Sequence, residues 1–448
     1  AHAFGTWVVW QDQRNGNWGI FARVLSDATA SPMVITNNAL NQERPRTDGR
    51  YVVWEARQAD GTWDIWAKEF GSADPSFAIT ATSEFDERKP AIYWPWVVYQ
   101  SRPVSNPNAP WQVMAYNMRT GATEIVDATT QDQLDPAVHR QLVVWQDFRD
   151  VGYGEIYLKD LRTGEVRRIT NDPGGQYHPV IFDYWIVWAD NRNGQFDLYG
   201  YNLRRNAEVQ LTDTPENETR PYINGKWVVY TEDSAGQLNI NLRLLHLSNL
   251  ASIQLTNVES EKEKPSLASG RLFWVDLRSG RGQVMVGTLP NLQPVFNNQN
   301  TVAVTEGMVA NQGDAYTLLK LWQEQAGVSG ITRYTTLLPQ PVADTVNWAG
   351  GAPEGNNFAL EAGTFLWVKF NDTNILDLGQ GTCASLNLAA GTNVFSYTCF
   401  PDQYSAYRLI REVGAANIKG LRILDSGTGR WEVASVTNGL IAGEDFTI

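Results

Sequence analysis

The sequence predicts an all-β seven-bladed propeller followed by a smaller α+β domain made of two half-repeats. Three observations predict it. First, one aromatic and β-branched strand pattern recurs seven times: Trp7-Val8-Val9-Trp10, Tyr51-Val52-Val53-Trp54, Trp96-Val97-Val98-Tyr99, Leu142-Val143-Val144-Trp145, Trp185-Ile186-Val187-Trp188, Trp227-Val228-Val229-Tyr230 and Arg271-Leu272-Phe273-Trp274. Successive copies end 44, 45, 46, 43, 42 and 44 residues apart. A period near 44 with several short strands per unit marks a propeller blade. Second, a proline stands nine residues before the end of six copies, as Pro45, Pro90, Pro136, Pro179, Pro221 and Pro265, with Ala1 in that place in the first. Third, the repeat stops near Pro294 and a different, internally duplicated pattern follows.

Within each unit the proline opens a short strand and turn, as in Pro45-Arg46-Thr47-Asp48-Gly49. The apolar strand follows. A polar turn comes next: Asp12 to Gly16, Asp147-Phe148-Arg149, Asp190 to Gly194, Asp276 to Gly280. A third strand reads Gly19-Ile20-Phe21, Asp64-Ile65-Trp66, Glu155-Ile156-Tyr157 or Asp197-Leu198-Tyr199. A last strand closes on Ile35-Thr36, Ile79-Thr80, Ile169-Thr170, Leu211-Thr212 or Leu255-Thr256. Four strands joined by hairpin turns make one antiparallel sheet. In Trp185-Ile186-Val187-Trp188 alternate residues face opposite ways, yet all four are apolar, so both faces must be buried. Stacking such sheets against their own copies in a ring achieves this. Most of the 18 tryptophans are therefore read as core. Trp18, Trp63, Trp94 and Trp111 fall outside the strand motif and are the candidates for stacking on a sugar.

These repeats resemble the TolB-like propeller family. The resemblance rests on the proline, the Asp-Gly or Asn-Gly turn, the hydrophobic strand, the Asp-x-Arg turn, the Ile-Tyr strand and the Leu-Thr or Ile-Thr close, and spans residues 1 to about 296. It implies a propeller with a partner-binding central channel. The family includes periplasmic partner-binding proteins, peptidase-associated propellers and some polysaccharide lyases, so it does not select a function.

A net charge of −13 argues against nucleic acid and anionic membranes as partners, which call for a basic surface. No uncharged apolar run approaches ~18 residues, so no membrane-spanning segment is predicted. The two cysteines, Cys383 and Cys399, predict a disulfide suited to an oxidising, extracytoplasmic compartment, with two separate buried thiols as the alternative. The start Ala1-His2-Ala3 is what removal of a signal peptide would leave.

The residue before each proline enters the innermost strand and is a candidate for the channel mouth: Arg44, Lys89, Asp135, His178, Arg220 and Lys264. A ring of cations there would focus on an anionic ligand, a uronate, sulfate or peptide carboxylate. The competing reading is local pairing, because Glu43, Glu87, Glu218 and Glu263 stand one or two residues before four of them.

Catalytic motifs are missing. There is no Gly-x-Ser-x-Gly, His-Glu-x-x-His or phosphate loop. The four histidines, His2, His139, His178 and His246, hold unrelated repeat positions, so no metal site or cofactor is predicted. This weakens the likeness to those propeller lyases that hold a metal through histidine. The Asp12 and Asp190 turns echo calcium loops, but Arg14 and Arg192 would repel a cation. Ala59-Asp60-Gly61-Thr62-Trp63 has the look of one sialidase Asp box, and a plain β-turn explains it more simply.

After a linker at Asn297 to Asn300, residues 301–448 read as two half-repeats, 301–380 and 383–448. Ala315-Tyr316-Thr317-Leu318-Leu319 answers Ala406-Tyr407-Arg408-Leu409-Ile410, Trp348 answers Trp431, and Phe358-Ala359-Leu360 answers Phe446-Thr447-Ile448. Helices are predicted at about Asp314–Gln325 and Tyr404–Val413. The module resembles duplicated β-rich domains at the C-termini of secreted bacterial proteins, through Leu386–Asn393 and Val302–Gly307. The second half lacks the counterpart of Thr364–Phe370, which predicts a longer mature chain, a tolerated open edge, or strand donation by another subunit.

The reading is a secreted, non-catalytic recognition or scaffold protein, extracellular, at the cell surface or periplasmic. It would bind a protein or anionic polysaccharide at the propeller face and anchor or assemble through its C-terminal domain. The alternatives are a polysaccharide-acting lyase or hydrolase, and a subunit of an extracellular filament or surface layer.

Overall fold

The structure, a computed structural model, describes residues 1–14, 16–27, 31–36, 38–150, 152–233, 240–248, 250–256, 260–279, 282–289, 292–295, 298–304, 306–336, 342–349, 351–360, 365–370, 374–377, 420–425, 430–437 and 440–443. The chain divides into two compact units, Ala1–Leu244 with Gln254–Gly287, and Leu245–Ile253 with Thr288–Ile448.

The repeats fold into seven antiparallel sheets. Blade one holds β1 (His2–Phe4), β2 (Trp7–Asp12), β3 (Gly19–Val24) and β4 (Met33–Val34). Blade two holds β5 (Gln42–Thr47), β6 (Tyr51–Arg57), β7 (Trp63–Glu69) and β8 (Phe77–Ala78). Blade three holds β9 (Phe85–Tyr93), β10 (Trp96–Pro103), β11 (Gln112–Asn117) and β12 (Ala122–Ile125). Blade four holds β13 (Gln133–His139), β14 (Leu142–Asp147), β15 (Glu155–Asp160) and β16 (Val166–Arg168). Blade five holds β17 (Gln176–Phe182), β18 (Trp185–Asp190), β19 (Asp197–Asn202) and β20 (Ala207–Gln210). Blade six holds β21 (Asn217–Asn224), β22 (Trp227–Asp233), β23 (Ile240–His246) and β24 (Ser252–Gln254). Blade seven has three strands among the described residues: β25 (Lys262–Ala268), β26 (Arg271–Asp276) and β27 (Gln283–Thr288).

The first strands β1, β5, β9, β13, β17, β21 and β25 touch in that order, and β25 returns to β1, so the ring is closed. The Tyr222 hydroxyl donates to the Ala3 carbonyl at 2.6 Å and the Ser269 hydroxyl to the Gly5 carbonyl at 2.7 Å across the closure.

The two-faced apolar strands explain the ring. Val52, Trp54 and Ala56 of β6 pack on Val9, Ile20 and Ile35 of blade one. Their neighbours Tyr51 and Val53 point the other way, onto Ile92, Val97 and Tyr99 of blade three. The same alternation joins blade three to four through Trp145 and blade four to five through Trp188. Trp54, Trp145 and Trp188 are completely buried. Each hides ~150–250 Å², an upper bound of about 4–6 kcal/mol at ~25 cal/mol/Å².

Outer strands are attached by a repeated clip. The aliphatic N–H of the closing pair donates to the third-strand carbonyl, and the threonine hydroxyl accepts from that same third-strand residue. Ile35 reaches Ile20 at 2.9 Å and the Ile20 N–H reaches Thr36 Oγ1 at 2.8 Å. Ile79–Ile65–Thr80, Ile169–Ile156–Thr170, Leu211–Leu198–Thr212 and Leu255–Leu242–Thr256 repeat it. In blade three Asp127 replaces the threonine, and Gln133 Oε1 takes the Val113 N–H instead, at 3.0 Å.

The Asp-x-Arg turns are locked from within. Asp190 is fully buried and accepts from Trp188 Nε1 at 3.0 Å and from Arg192 Nε and Nη2 at 3.0 and 2.6 Å. The Arg192 guanidinium lies 4.0 Å over the Tyr199 ring. Asp147 with Trp145 and Arg149, and Asp276 with Trp274 and Arg278, do the same. Burial by itself would raise the Asp147 carboxyl; hydrogen bonds from Arg149, Trp145 and Gln133 outweigh it and hold the group below its ordinary range. The arginine that rules out a calcium loop is thus the turn's own counter-ion.

In the second unit, β29 (Asn298–Ala303), α1 (Glu306–Asn311), α2 (Ala315–Ala326), β30 (Val328–Thr336), β31 (Val342–Ala349), β32 (Ala352–Gly355) and β33 (Phe365–Phe370) build a five-stranded sheet ordered β29-β33-β30-β31-β32, with α2 packed on β30 and β31. Before these, β28 (Leu292–Val295) pairs with β34 (Asn374–Asp377). Asp314 caps α2 by accepting from the Thr317 N–H at 2.9 Å, and Gly327 ends it at φ 65°. Leu318, Leu319 and Trp322 of the helix pack on Val328, Ile331, Val346 and Leu366. A three-stranded sheet runs through Gly420–Asp425, Arg430–Thr437 and Leu440–Gly443. Cys383, Cys399, the predicted helix at 404–413 and the terminal edge after residue 443 lie outside the described residues.

Replacing Asp190 by Ala leaves the buried Trp188 indole N–H without its acceptor and removes one of the three carboxylate partners of Arg192, which keeps Asp172 and Glu208. The expected loss is about 2 kcal/mol in urea unfolding, against less than about 1 kcal/mol for Asp12→Ala, whose partner Arg14 is exposed.

Candidate functional site

The six residues before the prolines all lie on innermost strands, and all share one backbone state. Arg44, Lys89, Asp135, His178, Arg220 and Lys264 have φ of 50, 51, 50, 54, 52 and 50°. The register of the pairing strand shifts here, between Glu43 and Arg46, Leu134 and Ala137, Tyr177 and Val180, Thr219 and Tyr222, and Glu263 and Ser266. This is a β-bulge that re-aims one side chain per blade. Left-handed backbone costs a residue with a Cβ roughly 1–2 kcal/mol. In three blades the freed amide is caught by the blade before it: Arg44 N–H by Gln11 Oε1 at 2.9 Å, Lys89 N–H by Glu55 Oε1 at 2.6 Å, and Asp135 N–H by Gln100 Oε1 at 2.9 Å.

These positions divide into two electrostatic parts. In one, Lys89 pairs with Asp135, and Asp135 Oδ2 lies 2.9 Å from His178 Nδ1. Burial would raise the Asp135 carboxyl, but His178 and Lys89 together hold it far below its usual range. This part carries both signs. The other gathers Arg44, Arg46, Arg220 and Lys264. Arg44 pairs with buried Glu55 at 3.3 Å, which also holds Arg88 at 2.8 Å. Arg220 pairs with Glu263 at 3.3 Å. Arg46 and Lys264 have no ion-pair partner within 4 Å among the described residues, and both side chains are exposed.

Arg46 marks the axis. Though open to solvent, it is enclosed by the surrounding blades, and that loss of water lowers its pKa first; Tyr222 of blade six and Asp135 of blade four oppose this, and Arg44 adds to it. Arg46 in turn joins burial in keeping His2 of blade one well below its ordinary range. Only a position near the centre is close to so many blades. Lys264 is lowered by burial first; Glu263 opposes this, while Arg46, Arg44 and Arg220 reinforce it. Since Arg44 and Arg220 have carboxylate partners, the unpaired charge among these four is that of Arg46 and Lys264, and such charge attracts an anion.

Local pairing thus consumes part of the predicted ring, though with other acids than those adjacent in sequence. Glu263 serves Arg220 of the neighbouring blade, and Glu55 serves Arg44. Glu87 and Glu218 turn between blades instead. Each occupies the place held by Gln42, Gln133 and Gln176 elsewhere. Glu87 accepts from Thr80 and Thr82 at 3.4 and 3.3 Å; burial and then neighbouring Asp64 push its pKa up to about 8. Burial likewise pushes Glu218 up to about 7, against hydrogen bonds from Thr214 and Thr212.

Arg46 was not among the sequence candidates. Its signal is a lone charge after the proline, where the other repeats have Ala91, Ala137, Val180, Tyr222 and Ser266. Three of the four tryptophan candidates are occupied by arginine: Arg88 lies 4.2 Å over Trp63, Arg50 4.4 Å over Trp94, and Arg102 4.4 Å over Trp111. Trp18 lines a cavity between blades one and seven. Asp60 accepts from the Thr62 N–H at 3.0 Å and its hydroxyl at 2.6 Å, closing an ordinary turn with Gly61 at φ 95°. His139 lies between the rings of Tyr93 and Phe182 at 4.4 and 4.5 Å, and burial brings its pKa down to about 3.

No family model and no curated protein matches the sequence. Among solved structures, an oligogalacturonate lyase from Vibrio parahaemolyticus is 13% identical with a TM-score of 0.52, covering 64% of this chain and 89% of that one. An oligogalacturonate lyase in complex with manganese gives 13% and 0.51 over 64% and 88%. TolB from Acinetobacter baumannii gives 16% and 0.42 over 63% and 77%. At these identities the likeness concerns fold. The class the sheets define is a seven-bladed β-propeller. A smaller α+β unit follows it in sequence.

Glu87→Gln tests the buried acid. A carboxyl whose folded pKa is raised keeps a proton that the unfolded chain releases above its ordinary value of 4.5, so stability falls as pH rises from there to about 8. The glutamine variant should gain little in urea midpoint at about pH 5 and progressively more toward about pH 9. An equal gain at both would show that the proton is irrelevant.

Proposed function

We propose that this protein is an extracytoplasmic, non-catalytic recognition or scaffold protein that captures an anionic group of a partner at the mouth of its propeller. The observation that carries the reading is the pair Arg46 and Lys264, cationic and lacking ion-pair partners among the described residues, flanked by Arg44 and Arg220. A carboxylate or sulfate entering there would take charge-assisted hydrogen bonds that the unliganded ring leaves unmade. The Lys89–Asp135–His178 part, being internally neutralised, would orient a partner through polar contacts. The second unit would anchor or assemble the protein, and the half-repeats 301–380 and 383–448 remain part of that proposal. No described helix is long and apolar enough to cross a membrane.

The reading needs no chemistry. His2, His139 and His178 stand on the innermost strands of blades one, four and five. His2 accepts from the Thr47 N–H at 3.3 Å, His139 from the Asp183 N–H at 3.1 Å, and His178 meets Asp135. Each has its own partner in the fold.

Calorimetric titration with a short polyuronate and with an acidic peptide tests the proposal. Arg46→Gln and Lys264→Gln should each weaken the better of the two by about tenfold, with a shallower salt dependence and an unchanged melting temperature. Lys89→Gln should change affinity little. Equal binding by all three variants would sink the assignment, and unsaturated sugar products in the polyuronate arm would make the protein a lyase.

A further inference from the structure

Among the described residues blade seven shows no clip. In the six other blades the third-strand residue that receives the outer strand is Ile20, Ile65, Val113, Ile156, Leu198 or Leu242, and each is 0% exposed. Val284 holds that place in β27, in the sequence Gln283-Val284-Met285 that parallels Gln112-Val113-Met114. It is 40% exposed, and Val286 is 58% exposed. β27 is the last strand of its sheet, and the next described strand along the chain, Leu292–Val295, hydrogen-bonds to Asn374–Asp377. An exposed edge with two β-branched side chains is a template for one more strand.

The space beside this edge is shaped for an occupant. A cavity of about 1040 Å³ opens between blades one and seven, walled by Trp10 and Trp18 on one side and by Phe273, Val284 and Val286 on the other, with Arg271 at its border. Between other neighbouring blades the corresponding volume is filled by the aliphatic residue of the clip: Ile35 lies in the core shared by blades one and two, and Val126 in that shared by blades three and four.

We propose that the β27 edge accepts one extended segment of a partner protein, carrying an aliphatic residue followed by threonine, and that this segment completes blade seven. The aliphatic side chain enters the cavity over Val284, its N–H donates to the Val284 carbonyl, and the threonine hydroxyl accepts the Val284 N–H. The five aliphatic–threonine clips of this chain define that chemistry. The site is separate from the cationic mouth.

The test uses the 448-residue chain and a fluorescent peptide copying residues 207–213, the outer strand of blade five with its Leu211-Thr212 pair. Saturable binding is expected, together with slowed hydrogen exchange at the Val284 and Val286 amides. Peptides with Thr212→Ala or Leu211→Lys should bind at least about tenfold more weakly. Val284→Lys in the protein should abolish binding; the substitution falls at a half-exposed position, and the peptide variants give the same answer if it fails to fold. Absence of saturable binding at millimolar peptide, or equal binding by the variant peptides, overturns the proposal. So does a peptide-free dimer that Val284→Lys dissociates, since the edge would then serve a second copy. So does protection of the Val284 amide before peptide is added, since the chain itself would then fill it.

Discussion

The structure depends on sheets that are apolar on both faces. Tyr51 and Trp54 sit three residues apart on one strand, yet they belong to two different cores. No blade can bury its surface alone, so each borrows a face from the blade on either side, and the borrowing ends only where the circle closes. This makes the propeller's stability a property of interfaces between near-identical units. The polar devices are secondary to it. The Trp–Asp–Arg turn satisfies an indole that has to be buried for packing, and the threonine clip satisfies a third-strand amide whose side chain has to be buried for the same reason.

The mouth follows from a second constraint. To bring seven strands around an axis, the innermost strand must bend, and the bulge before the proline does this by forcing one residue into left-handed backbone. Glycine or asparagine would adopt that state at least cost. The chain instead places Arg, Lys, Asp, His, Arg and Lys there. Side chains at these six positions are therefore present for what they reach. In one part of the ring they reach one another; in the other, Arg44 and Arg220 reach the carboxylates of Glu55 and Glu263, and Lys264 reaches water.

Much of the fold was legible because a repeat supplies its own controls. The 44-residue period, the closing Ile-Thr and the Asp-x-Arg turn each recur often enough to define a blade, and α2 was legible from its apolar spacing after Asp314. The site was less so. Pairing across the ring links residues separated by about one period: Lys89 to Asp135, Asp135 to His178, Arg220 to Glu263. Adjacent acids such as Glu87 looked like better partners until strand direction sent them between blades. The arginines over Trp63, Trp94 and Trp111 come from other strands or turns, so the occupied rings looked free. Blade seven's departure was readable in principle, since no aliphatic–threonine pair follows Met285 before the repeat ends, but an absent motif weighs little until its role in the other blades is known.

The lighter attachment of β27 has a mechanical consequence. In the cores shared by blades one and two and by blades three and four an outer aliphatic residue, Ile35 or Val126, fills the rim; the joint between the last blade and the first is fastened near the axis, by Ser269, and opens at the rim into the cavity. Thermal breathing of a closed circle concentrates where the fewest contacts must yield. On that ground the seam between blades seven and one is where opening would begin.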